Sequence, residues 1–353
     1  RRRRREDHRL GGPGEHGPTV EQVGVGTTHP AELPAEEPEG EIGVSRDRRE
    51  KHPGLKLERA DGEHDSKSVN VEGTVPPMSN ANGTVESIGV HPVKSARGLA
   101  PEAWWFDETG PRLDRRWMCI DENRRFVSLR EIPAFARLEV RLEPADPMDG
   151  TSDLPSRVHL EFEGDRHDFE PVDEADAPPA TASLWKSERQ VIEESDSASN
   201  WLSDRLGGTY RLVRHAPDRD PWIQAEPEAD GATTGLADGY PVLLASTETL
   251  AAAVPGGCSM RRFRPNIVIG GLEAWTEESW KRVRIGDVEL ELAKPCVRCI
   301  ATTVNPDTGL RTGTAPLSTL AAGRTWNGKP VFGWNCLVRR EGWIRCSDPI
   351  TVL

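Results

Sequence analysis

The sequence predicts a mainly β protein with short helices, an α+β chain arranged as two domains. Three observations carry that prediction. Short segments that alternate apolar and polar side chains recur along the chain, separated by turn clusters such as Asp121-Glu122-Asn123 and Glu163-Gly164-Asp165; this is the cadence of an antiparallel sheet or barrel. Helical spacing surfaces only in a few brief stretches. A length of 353 residues suffices for about two domains.

Residues 1–77 contain no Phe, Trp, Tyr or Cys and cannot bury enough apolar surface to offset the entropy of ordering, so a disordered, solvated tail is expected. The first methionine is Met78, and the tail is expected to lie upstream of the true start. Thr84 to Val90 alternates as a half-buried strand, and Pro92 ends it, placing Lys94, Ser95 and Arg97 in a loop closed by Gly98. Further strands are expected at Ala103 to Phe106, Arg116 to Ile120, Phe126 to Leu129, Leu138 to Leu142, Val158 to Phe162 and Gln190 to Ile192. Ser199 to Leu206 has helical spacing and stops at Gly207-Gly208, a C-terminal cap. A domain boundary just before it divides 78–196 from 197–353.

In the second domain, 218–239 reads as a long polar loop and Pro241 to Ala245 as a buried strand. A helix follows, capped by Ser246 or Thr247 and running to Ala253. Asn266 to Gly270 and Arg282 to Leu292 are strands, the latter turning at Gly286-Asp287, with a helical turn between Trp275 and Trp280. Ile300 to Val304 reads as β-like, Pro316 to Ala322 as a small helix, and Val331 to Val338 with Ile344 to Leu353 as a closing hairpin around Glu341-Gly342.

A formal charge of −13 excludes duplex DNA and anionic membranes as main partners, since both would be repelled. The chain has no apolar run of about 18 residues and no secretion signal, so a cytoplasmic address is expected. Six cysteines are too few for a disulfide scaffold, and a close pair in a reducing compartment points to catalysis or metal.

That pair is Cys296 and Cys299. A zinc site needs more ligands, and Cys336 and Cys346 lie ten residues apart with no His between them. A redox dithiol expects its first cysteine at a helix N-terminus, whereas β-like residues follow here. Two buried apolar side chains form a third reading. The fourth is a thiolate used singly, favoured by adjacent Arg298, as a soft ligand for a metal carried by an anionic organic cofactor. The anion half of that picture comes from basic side chains. Arg264 and Asn266 bracket Pro265, Lys94 and Ser95 share a loop, and Arg115 and Arg130 sit near strand ends, in a chain with eight lysines against 37 arginines.

These residues fall in motifs that resemble a known family. His91-Pro92-Val93-Lys94-Ser95 through Gly98 is similar to the opening of the N-terminal β-barrel domain of the mitochondrial amidoxime-reducing component and its bacterial relatives. Asp114 to Asp121, Ser128 to Pro133, Phe263 to Val268 and Cys296 to Gly309 resemble that family's further signatures, in the same order. The last two belong to the MOSC domain, named for the molybdenum cofactor sulfurase C-terminus. The resemblance spans about Thr84 to Val352.

It implies an N-terminal β-barrel-like domain followed by a MOSC β-barrel domain that holds molybdenum-molybdopterin. By the motif match, Cys299 is the metal ligand and the catalytic residue. Lys94, Ser95, Arg115, Arg264 and Asn266 hold the pterin and its phosphate, and Arg298 stands beside the metal; the carry-over extends to Arg130 and Ser246. A domain-level association with pyridoxal phosphate also attaches to it. The implied reaction is two-electron reduction of N-hydroxylated or N-oxide-type small molecules. The cysteines do not show the spacing of a plant-type ferredoxin, so electrons are expected from a separate flavoprotein, haem protein or ferredoxin. The alternative is a sulfur or cofactor carrier that uses a Cys299 persulfide or thiolate without turnover.

Overall fold

The alternating strands close on themselves. In the computed structural model, which describes residues 79–144, 153–217, 223–224 and 233–353, seven strands form a ring. They are β1 (Ser79–Ile88), β2 (Val242–Ser246), β3 (Ile267–Gly270), β4 (Arg282–Ile285), β5 (Val288–Val297), β6 (Lys329–Arg340) and β7 (Pro349–Val352). Round the ring the order is β2, β3, β1, β7, β4, β5, β6, and β6 pairs back onto β2. Closure leaves no edge among these strands to template aggregation. β5 shows how sequence sets the wall: Val288, Leu290 and Leu292 point into the core, while Glu289 and Glu291 meet Arg284 and Arg282 of β4 and Arg340 and Arg339 of β6 outside.

The ring is irregular where it approaches the Cys296 pair. The β5–β6 register breaks between Leu292 and Lys294 and again between Pro295 and Val297, which makes Cys296 a bulge residue. Such bulges bend a strand and re-aim its side chains. Opposite, Gly333 holds φ at +77°, and a Cβ there would lie 2.9 Å from the Leu244 carbonyl oxygen of β2, so only glycine lets the two strands close the ring.

Around the ring lie a four-stranded sheet ordered Trp117–Asp121, Tyr210–His215, Ser187–Glu193, Ala180–Leu184, and a three-stranded one of Glu139–Glu143, Arg157–Phe162 and Asp165–Phe169. Helix α1 (Asp196–Leu206) is capped by Ser195, whose hydroxyl accepts from the Ala198 amide, and ends at Gly207 in the left-handed conformation. α2 (Thr247–Ala253) and α3 (Leu317–Gly323) are the other α-helices among the described residues. No helix among the described residues is long and apolar enough to cross a membrane. The mainly β fold with short helices stands as read from the sequence.

Several local expectations change. β1 pairs with β3 and β7, so backbone pairing crosses the boundary placed between 196 and 197. The closing hairpin is not one: Gly342–Arg345 pairs with Ala103–Asp107, and β7 pairs with β1 and β4. Alternation reveals a strand but not its partner. Ile300–Thr303 is a 3-10 turn rather than a strand, because the Thr302 and Thr303 hydroxyls donate back to the carbonyls of Cys299 and Ile300. Phe126 to Leu129 makes only an isolated bridge from Phe126 to Ile120. Strand Asp165–Phe169 was missed because only Phe169 is buried in it. Of the expected 218–239 loop, 223–224 pair with 233–234; the remainder of 218–232 and the tail at 1–77 lie outside the described residues.

Candidate cofactor site

One cavity of about 200 Å³ is lined by Lys94, Ser95, Arg115, Arg130, Arg264, Asn266, Arg298 and Cys299 together, drawn from both halves of the chain. Eight of the nine expected site residues therefore meet. The ninth, Ser246, does not line it: its buried hydroxyl caps α2 by accepting from the Thr249 amide at 3.2 Å.

Lys94 reaches the cavity because Pro92 breaks β1 and the chain docks on Trp117, whose carbonyl accepts from the Lys94 amide at 2.7 Å. Its Nζ donates to the Leu236 carbonyl at 2.6 Å and to the Asp238 carboxylate at 2.5 Å. Burial lowers the Lys94 pKa, partly offset by Asp238. Desolvation pushes the Asp238 carboxyl up, but the Lys94 charge prevails and holds it at about 2, so this is an ion pair. Ser95 is buried at φ +75°, and its hydroxyl accepts from the Leu129 amide at 3.1 Å.

Arg264 is half-buried, with part of its guanidinium enclosed. It lies at φ +56°, donates through Nη1 to the Ala96 carbonyl at 2.5 Å, and leaves Nη2 buried without a partner. Burial, then the neighbouring Arg115, lowers its pKa, while a guanidinium remains charged. Arg115 is paired with Asp114 and donates through Nη2 to the Arg264 carbonyl at 3.2 Å. Arg298 donates to the Phe263 carbonyl at 2.7 Å and to Cys296 Sγ at 2.9 Å, while its buried Nε has no partner. Buried donors left unpaired beside clustered like charges are the signature of a site built for an anion.

Backbone strain concentrates here as well. Among the described residues ten non-glycine residues have positive φ, and four of them, Ser95, Arg115, Trp185 and Arg264, line this cavity. Conformations of that kind persist where the surroundings hold them, and they cluster at functional sites.

Two expected roles shift. Asn266 works as a brace: its carboxamide oxygen accepts from the Leu243 amide and its nitrogen donates to the Gly89 carbonyl, both at 3.0 Å. Asn266→Ala is therefore expected to cost about 2 kcal/mol of stability, the range for stranding buried backbone partners, seen as a lower urea midpoint at unchanged slope. Arg298 touches Cys296 directly, so contact geometry draws its guanidinium to the first sulfur, whereas the motif match chooses the second. Cys119 and Cys336 are fully buried. Burial pushes both thiols up, Cys119 to about 12, which leaves them protonated and inert.

Sequence reasoning missed Asp238 and Trp185. Asp238 is 144 residues from Lys94, a separation no spacing rule detects. Trp185 carried a signal: a bulky aromatic in a two-residue turn.

A scan against family models matches residues 82–209 to the MOSC N-terminal beta barrel domain and 233–351 to the MOSC domain, which defines the class as a two-part MOSC protein. The mitochondrial amidoxime-reducing component 1 of Mus musculus is 31% identical over 295 residues, 77% of this chain and 82% of that protein. The same-named protein of Danio rerio is 29% identical over 76% of this chain and 84% of its own, and that of Homo sapiens 27% over 77% and 83%. The chain belongs to the family of the amidoxime-reducing components.

Proposed function

We propose that this protein is a molybdenum-cofactor-dependent oxidoreductase that reduces N-hydroxylated or N-oxide-type small molecules with electrons from a separate donor protein. The observation that carries the reading is the convergence, in an acidic chain, of Lys94, Arg115, Arg264 and Arg298 on one cavity that also contains the Cys296–Cys299 pair. These residues fit molybdopterin: guanidinium groups clamp its phosphate, buried donors on Arg264 and Arg298 await an anion, and a thiolate is a suitable soft ligand. Cys299 would bind the metal, and Lys94, Arg115 and Arg264 would hold the pterin and its phosphate. Ser95 and Arg130 would shape the wall, and Asn266 would brace it from behind. When bound, the cofactor supplies the two-electron redox chemistry.

The protein's part is positioning and electrostatics. The cations neutralise a dianionic phosphate group, the Lys94–Asp238 pair fixes one wall, and the left-handed backbone at Ser95, Arg115 and Arg264 turns each side chain toward the cavity. The cytoplasmic address, the functional division at residues 196 and 197, and the donor's being a flavoprotein, haem protein or ferredoxin belong to the same proposal.

Metal analysis tests it on protein purified from a host that makes molybdopterin, assayed with a model amidoxime. Near-stoichiometric molybdenum with reduction of the amidoxime is the expected result. A cyanide-labile sulfur on Cys299 without molybdenum would replace the enzyme with a sulfur carrier.

A further inference from the structure

Trp185 occupies a place where its side chain is costly to keep. It opens the two-residue turn Trp185-Lys186 between the paired Leu184 and Ser187, with φ at +55°. A positive φ at the first position of such a hairpin turn is the conformation glycine favours. A bulky aromatic in that position calls for an explanation, and burial in a core does not supply one, because 47% of the residue remains exposed.

The exposed ring is nonetheless fixed. The Arg130 guanidinium lies 4.4 Å from the ring centroid, Phe126 meets it edge-on at 5.4 Å, and the indole N–H donates to Asp238 at 3.2 Å. Asp238 in turn holds Lys94, so the indole is bolted to the wall of the cavity that contains Cys299. Val297 lines the same cavity, and further exposed apolar side chains lie close to it in the chain. Val297 and Ile300, on either side of Cys299 in the chain, are 39% and 44% exposed, and Leu310 is 60% exposed beside Arg311, whose Nη2 donates to the Arg130 carbonyl. Among the described residues the exposed large hydrophobic side chains are these four and Leu353. A rigid aromatic platform over a polar cavity recognises flat π-systems, which gain from stacking and edge contacts, more than small aliphatic groups.

We propose that Trp185 is a specificity-determining residue that stacks aryl or conjugated groups at the cavity mouth, so that the site selects aromatic N-hydroxylated substrates over small aliphatic ones. This rests on the N-reductive reading above and adds the substrate class. In the reaction the N–O bond of an amidoxime breaks, and two electrons from the reductant with two protons yield the amidine and water.

The test uses molybdenum-loaded protein, a reduced viologen as electron source, and benzamidoxime against acetamidoxime. For Trp185→Ala and Trp185→Gly, the kcat/KM ratio of aromatic to aliphatic substrate is expected to fall about fivefold to tenfold, the worth of one aromatic contact, with the change carried by KM. Trp185→Phe should recover most of it. Trp185→Gly should melt above Trp185→Ala, since glycine suits the turn. An unchanged ratio in all three variants overturns the proposal. So does a parallel loss of both substrates together with molybdenum, which would make Trp185 a support for Asp238 and Lys94. A change seen only when a protein donor replaces the viologen would reassign the rim to donor docking. Wild-type protein that contains molybdenum yet reduces neither amidoxime would refute the N-reductive reading itself and this inference with it.

Discussion

Cys299→Ser is expected to abolish N-reductive activity, while Cys296→Ser lowers it only on the order of tenfold. The two cysteines line the same cavity but stand in different local structures. Cys296 sits on the bulge of β5 with the Arg298 guanidinium 2.9 Å from its sulfur; Cys299 immediately precedes the 3-10 turn Ile300–Thr303. A zinc site or a redox dithiol needs both sulfurs, and either substitution would then be equally damaging. A single metal thiolate needs one, and an alkoxide is a poor replacement for a soft sulfur ligand. Loss of the Arg298–Cys296 contact would disturb the orientation of the guanidinium, with a cost on the order of tenfold, typical of a change behind the ligand. Molybdenum content and reduction of a model amidoxime, measured in both variants, decide between these arrangements. Comparable inactivation would sink Cys299 as sole protein ligand. Greater damage from Cys296→Ser would transfer the role to the sulfur that Arg298 touches.

Much of this was legible in the chain, for physical reasons that can be named. Strands with one buried face, such as Val288 to Leu292, announce themselves by alternation, and the cap on α2 by Ser246 ahead of Leu250. The site was legible because its residues carry chemistry that surfaces rarely concentrate: cations in an acidic chain and a close thiol pair. Long-range pairing stayed hidden. Nothing local reveals that β1 lies between β3 and β7, or that Gly342–Arg345 abandons its neighbour for Ala103–Asp107. Ser246 shows the converse hazard, since a motif match assigned to the site a hydroxyl that the helix already uses. Asn266 shows it more subtly. It lines the cavity, yet both ends of its carboxamide are committed to backbone.

Arg264→Ala is expected to empty the site while leaving the fold largely intact. Arg264 combines the features of an anion clamp: it is half-buried, pressed by Arg115, held by a single side-chain bond to Ala96, and carries a buried, unpaired Nη2. An anionic cofactor deprived of that partner loses a charge-assisted contact worth about 1.5 to 3 kcal/mol, roughly tenfold to a hundredfold in affinity. Folding stability changes less, because removing a desolvated guanidinium also removes the cost of burying it. Arg282→Ala is the control: Arg282 is an exposed residue of β4 whose partner, Glu291, keeps Arg339. Pterin and molybdenum occupancy after gel filtration should collapse in Arg264→Ala and persist in Arg282→Ala. The sign of the pH dependence follows from the burial of Lys94. A guanidinium keeps its proton throughout the accessible range, whereas burial lowers the Lys94 pKa, so Lys94 is the cation of this cavity that gives up its charge as pH rises. Cofactor rebinding by the wild-type protein should therefore weaken on the alkaline side, and the Arg264→Ala variant should bind weakly throughout. Equal occupancy in Arg264→Ala and Arg282→Ala would remove the anion clamp from Arg264.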